Sequence, residues 1–180
     1  MTLRPRGAQT EPTPENSDDF EAWVRPHWST MRRLATRLVG PTDRDDVLQE
    51  ALTAAWRTRR RYDPTRGESA AWLLGITAKC AANHRRTQER HRRHRSRTDL
   101  SESAVAPSTS VDIAARLDLD TAVKLLPRRQ RLAVELVYFL GLSQDEAGLV
   151  MGCATGTVKS TLAAARRSLR DRWGDSDDAR

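Results

Sequence analysis

Apolar residues near the start of the chain recur in steps of three and four. Phe20, Trp23, Val24, Trp28, Met31, Leu34, Ala35 and Leu38 fall on one face at that spacing and predict helix from Asp18 onward. Gly40 and Pro41 punctuate the pattern, and Thr42 or Asp43 stands where it can cap the next helix. That helix carries Val47, Leu48, Ala51, Leu52, Ala55 and Trp56 at helical spacing. Acidic residues occupy its first turn, where the helix dipole favours them. It runs out at RRRYDPTRGES, a loop with Pro64 and Gly67. A third stripe, Trp72, Leu73, Ile76 and Cys80, starts near Ser69 and continues into the basic run HRRTQERHRRHRSR.

The periodicity then lapses. TDLSESAVAPSTSVD, residues 98–112, has no basic residue and reads as a flexible linker. Beyond it, Ile113, Leu117, Val123, Leu125 and Leu126 mark a helix. Pro127 fits the first turn of another, RRQRLAVELVYFL, closed by Gly141 just after its C-cap. Ser143 with Glu146 forms a capping box, and a short helix runs to Met151. Gly152 makes the turn, since a left-handed conformation costs glycine little. Gly148 supplies a small residue where two helices cross. The last helix buries Val158, Leu162, Ala165 and Leu169 and presents Lys159, Ser160, Ala163, Arg166, Arg167 and Arg170 on its opposite face.

No stretch alternates as a strand does. The fold class predicted is all-α: two small helical bundles joined by a flexible linker, the second containing a helix-turn-helix. The expected divisions are a disordered tail at 1–17, a first bundle at 18–96, the linker at 97–113, a second bundle at 114–173 and a tail at 174–180.

Charge adds a partner to this picture. The 180 residues carry a net charge of +7, with 31% charged and 38% hydrophobic residues. Such a basic chain favours a polyanion, nucleic acid first. The N-terminal MTLRPRGAQTEPTPENSDD has no apolar run, and no segment approaches the ~20 apolar residues of a membrane span. Cys80 and Cys153 show no disulfide framework, which fits a reducing cytosol. A soluble, cytoplasmic protein is expected, with no part at a membrane.

Cys80, His84, His91 and His94 share one side of an ideal helix, which raises a metal or redox sensor as a reading. His84 and His91 are roughly 10 Å apart along such a helix, too far for one ion whose ligands sit about 2 Å away. No metal and no cofactor are therefore expected. Without a nucleophile motif, phosphate loop or catalytic carboxylate pair, neither is an enzyme.

The helix-turn-helix has two readings: a DNA reader, or a helical hairpin with a solvated basic face. The capping box, Gly148, Gly152 and the basic second helix together favour DNA. The wider sequence narrows this further. DRDDVLQEALTAAWRTRRRYDPTRGESAAWLLGITAKCAANHRR resembles the second conserved domain of bacterial RNA polymerase sigma factors, closest to the two-domain extracytoplasmic-function group. LPRRQRLAVELVYFLGLSQDEAGLVMGCATGTVKSTLAAARRSLR resembles their fourth domain.

The resemblance implies a transcription initiation factor, monomeric when free, whose partners are core RNA polymerase and promoter DNA. An anti-sigma factor is a further partner that it admits. Asp45, Asp46, Gln49 and Glu50 match the family's polymerase-clamp surface, and an acidic face in a basic protein wants a protein partner. The −10 element falls to Arg60, Arg61, Tyr62, Trp72, Lys79, Asn83 and Arg86, with a flipped-base pocket near 61–71. Trp72 in such a context is more often core than stacking platform. The −35 element falls to Thr155, Thr157, Lys159, Ser160, Arg166, Arg167 and Arg170. This chain has Cys80 where the family usually has Asn. It has Thr161, Ala163 and Ala164 where longer side chains are common, so phosphate grip outweighs base reading there. The competing class, an autonomous helix-turn-helix regulator, leaves the acidic face and the 57–67 loop without a role.

Overall fold

The computed structural model describes residues 14–95 and 119–177. The expected linker and residues 1–13 of the expected tail lie outside them. Helix α1 spans Ser17–Val24 and is capped by Asn16, whose side-chain oxygen accepts from the N–H groups of Asp18 and Asp19 at 3.0 and 2.9 Å. The apolar stripe predicted from Asp18 to Leu38 is broken into two helices by a tight 3-10 turn at Arg25–His27. Pro26 is the cause, because it has no N–H to give to the preceding turn. Helix α2, Trp28–Val39, buries Met31, Leu34, Ala35 and Leu38 and stops at Gly40, whose φ of 92° suits glycine alone.

Helix α3, Arg44–Thr58, buries Val47, Leu48, Ala51 and Ala55. Asp43 stands at its N-cap position but makes no capping bond; its carboxylate lies 3.2 Å from His84 Nε2 instead. Two 3-10 turns, Arg59–Arg61 and Pro64–Arg66, lead to α4, Ser69–Arg95. Helices α2, α3 and α4 pack on one another through Met31, Leu34, Val47, Leu48, Leu73 and Leu74, each 2% exposed or less. Full burial of such a side chain contributes about 1.5–3 kcal/mol, so this small set dominates the bundle's stability.

The second bundle begins with a helix at 119–125, α5. After Pro127 come α6, Arg128–Val134, and a π-helical turn at Glu135–Phe139. The helix-turn-helix consists of α7, Gln144–Met151, and α8, Thr155–Asp177. The capping box is present in full: Ser143 accepts from Glu146 N–H, and the Glu146 carboxylate accepts from Ser143 N–H. Gly152 adopts the left-handed conformation, φ 63° and ψ 40°. No strand occurs among the described residues.

Both predicted bundles are there. The sequence did not disclose that they share a core. Buried residues of α2 and α4 join those of α6, α7 and α8 in one contiguous apolar cluster, with α7 lying against α4.

Candidate functional site

Three surfaces carry the residues singled out above. On α3, Asp45, Asp46, Gln49 and Glu50 are all exposed, while Val47 and Leu48 between them are buried. The helix therefore turns its carboxylates outward as a strip one turn and a half long. Asp45 pairs with Arg44 at 2.8 Å, and this bond holds its carboxyl below the usual carboxylate range. Asp46, Gln49 and Glu50 also line an open groove with Thr53, Arg57 and His84, so the strip has a concave edge against α4.

The second surface is the loop before α4 and the outer stripe of that helix. Arg60, Arg61, Lys79, Asn83 and Arg86 are exposed. Lys79, Asn83 and Arg86 are spaced four and three apart and so share a face. Arg86 also donates to the Asn83 side-chain oxygen. The two aromatics are placed differently. Tyr62 is buried, and its ring lies 5.3 Å from Trp23 and 5.8 Å from Trp72. Trp23 and Trp72 are 5.6 Å apart. These three rings form a packed triangle beneath the loop rather than an open platform. Arg59 extends the cluster by lying over Trp56, 3.6 Å from the ring centroid. Asp63 orders the loop itself, accepting from Thr65 N–H at 2.9 Å. His27 Nε2 and Ser69 Oγ, 3.0 Å apart, tie the start of α4 to the turn before α2.

The third surface is the helix-turn-helix. Val158, Leu162 and Ala165 are buried and Leu169 is half-buried, which leaves Thr157, Lys159, Ser160, Arg166, Arg167 and Arg170 exposed on α8. Thr155 is half-buried, and its hydroxyl is committed to Asp145 of α7. Ser160 and Thr161 both turn their hydroxyls back to the Thr157 carbonyl. Among the described residues of α8, the hydroxyl of Thr157 and the cationic side chains are thus exposed donors not committed within the chain.

A fourth group escaped sequence reasoning. Arg37 of α2 donates to Glu135 at 2.7 Å and pairs with Asp120 at 2.9 Å, with its guanidinium 3.7 Å from the Phe139 ring centroid. Arg131 donates to the carbonyl oxygens of Arg37 and Leu38. Arg33 donates to the Phe139 carbonyl at 2.7 Å. Each bundle thereby supplies an arginine to carbonyls that the other leaves unpaired at a helix end. Glu135 is 1% exposed and Arg131 is 4% exposed. Burial pushes the Glu135 carboxyl up, against the pull of Arg37, and lowers Arg131 to about 10. One signal was in the sequence: Glu135 interrupts the apolar run LAVELVYF at a position whose neighbours are all core residues. Cys80 is also buried, and burial pushes its thiol pKa up.

The profile of Sigma-70 region 2 matches residues 23–91, and that of Sigma-70 region 4 matches residues 116–169. The ECF RNA polymerase sigma factor SigE of Mycolicibacterium smegmatis is 33% identical over 157 residues, covering 84% of this chain and 60% of SigE. SigL of Mycobacterium tuberculosis is 32% identical over 148 residues, covering 80% of this chain and 82% of SigL. Among solved structures, the sigma factor RpoE in complex with the anti-sigma factor NepR, from Bartonella quintana, superposes with a TM-score of 0.64 at 25% identity. That match covers 86% of this chain and 96% of RpoE.

Proposed function

Because this chain belongs to the sigma-70 family, in its extracytoplasmic-function group, we propose that it binds core RNA polymerase and directs it to a particular set of promoters. The observation that carries this reading is the separation of charge on the surface. An acidic strip lies on α3, while two cationic surfaces lie on α4 and α8. A protein that bound DNA alone would have no use for the first.

In this reading α3 docks on the polymerase through Asp45, Asp46, Gln49 and Glu50. Arg60, Arg61, Lys79, Asn83 and Arg86 hold the phosphates of the opening −10 element. Tyr62 and Trp72 support the loop from beneath, and the flipped base is received by the loop surface above them. Lys159, Arg166, Arg167 and Arg170 grip the −35 phosphates, while Thr155, Thr157 and Ser160 set the start of α8 at the groove. An anti-sigma factor, as in the RpoE complex, is a natural partner. No helix among the described residues is long and apolar enough to cross a membrane.

Run-off transcription with core polymerase on genomic promoter fragments tests this. Defined transcripts that require both proteins are expected. Specific duplex binding by the chain alone, with no effect of polymerase, would instead establish an autonomous regulator.

A further inference from the structure

A cleft of about 250 Å³ opens beside α4, with walls from α2, α6 and α7. Three alanines of α4 make the room. Ala78, Ala81 and Ala82 are three and four apart, so they share one face of the helix. Leu38, Leu132 and Met151 complete an apolar lining. Into the same cleft come three cations, Arg85 of α4 and Arg128 and Arg129 of α6.

The charges are unbalanced. Among the described residues, none of these three arginines makes an ion pair, and the carboxylates of this region, Glu135 and Asp120, are committed to Arg37. Arg85 is half-buried. Burial and the nearby charge of Arg128 hold its guanidinium below its ordinary range. Like charges gathered over an apolar floor favour an anion that covers both. Nucleic acid matches only the charge. At 3.6 residues per turn, Arg85 points about 100° or more away from Lys79, Asn83 and Arg86, so it stands off the stripe assigned to promoter phosphates. A phosphate strand would also leave the alanines, Leu132 and Met151 without an apolar partner.

We propose that this cleft is a binding site for a small organic anion with an apolar body, its carboxylate between Arg85 and Arg128 and its chain along the three alanines. Size limits the ligand. A cleft of about 250 Å³ takes roughly eight groups of water size at about 30 Å³ each. An eight-carbon acid therefore fits, and a two-chain lipid does not. Guanidinium forks match a carboxylate with paired N–H donors, and the body supplies the apolar area that an inorganic anion lacks. Nothing in this depends on polymerase or promoter binding.

The test is calorimetric titration of the full chain with octanoate below its micellar concentration, with acetate and octylammonium alongside. Octanoate should bind one per chain, at least tenfold more tightly than acetate, and octylammonium should not bind. Octanoate should also raise the midpoint of thermal unfolding, as a ligand of the folded chain does. Arg128→Gln changes an exposed side chain and removes a partner of the carboxylate. Ala82→Leu fills the cleft with every charge in place, in a helix that leucine suits. Each should weaken octanoate at least tenfold at unchanged helicity by circular dichroism. Octanoate and acetate binding alike would mean a loose cationic patch and overturn the site. Octylammonium binding as well as octanoate overturns it too, since the arginines would then select nothing. So does an octanoate affinity that neither substitution moves. Failure of octanoate to bind, with duplex DNA weakened by Arg128→Gln, would assign the arginines to phosphate grip instead.

Discussion

Gly148 and Cys153 approach so closely across the helix-turn-helix corner that a methyl group on Gly148 would sit 2.8 Å from the Cys153 carbonyl oxygen. The Cys153 N–H meanwhile donates to the Gly148 carbonyl at 2.9 Å. The obstacle is backbone, so it cannot swing aside as a side chain can. Gly148→Ala should therefore destabilise the second bundle by about 1–3 kcal/mol. It should do so although alanine is the better helix former by roughly 1 kcal/mol. Thermal unfolding followed by circular dichroism checks this, and an unchanged or raised midpoint would show that the corner relaxes.

The capping box gives a second, smaller effect. Ser143→Ala removes the acceptor of the Glu146 N–H and should cost about 1 kcal/mol. Ser143→Asp should recover most of that loss in the same unfolding measurement, because Asp caps about as well.

Trp72 and Lys79 separate support from contact. Trp72→Ala removes one side of the packed ring triangle and should cost about 3–5 kcal/mol of stability. Lys79→Ala, on an exposed side chain, should leave the unfolding midpoint within error and weaken binding to −10 DNA in the polymerase complex. A stable Trp72→Ala chain that has lost only DNA binding would make the indole a platform after all.

The acidic strip predicts a polymerase phenotype. Asp46→Arg combined with Gln49→Ala changes two exposed residues and should leave helicity intact. Affinity for core polymerase should fall more than tenfold, about 1.4 kcal/mol. Undiminished capture of core polymerase would remove α3 from the docking surface.

At the other end, Arg166→Ala with Arg167→Ala should weaken duplex binding by the full chain on promoter and scrambled sequence alike. The slope of log affinity against log salt should flatten by about one unit per lost phosphate contact. A loss confined to promoter sequence would instead mean that these arginines read bases.

Local features were legible in the sequence because their causes are local. Ser143, Glu146 and Gly152 specify their cap and turn within ten residues, and both are found as expected. Spacing alone separated the buried from the exposed face of α8. Pro26 marks the break between α1 and α2, but the strong apolar stripe on both sides of it masks that break in the sequence. The joining of the bundles was not legible at all. Arg37 and Glu135 are 98 positions apart, and nothing in the periodicity of either helix says that one buried charge answers the other. The fate of Tyr62 was hidden for the same reason, since the rings packed on it, Trp23 and Trp72, come from α1 and α4.

The ring cluster has a practical consequence for anyone watching this protein unfold. Of its five tryptophans, Trp23, Trp28, Trp56 and Trp72 belong to the first bundle, and only Trp173 lies in the second. Phe20, Trp23, Trp56, Tyr62 and Trp72 stand in one chain of ring contacts, each with a neighbour within 6.0 Å. Intrinsic emission therefore reports almost wholly on the first bundle, with excitation energy passed among close indoles. Far-ultraviolet dichroism weighs both bundles by their helical length. If the bundles melt together the two signals share one midpoint. If the helix-turn-helix melts first, dichroism falls while emission stays constant, and the gap between the curves measures the coupling between the bundles without any label.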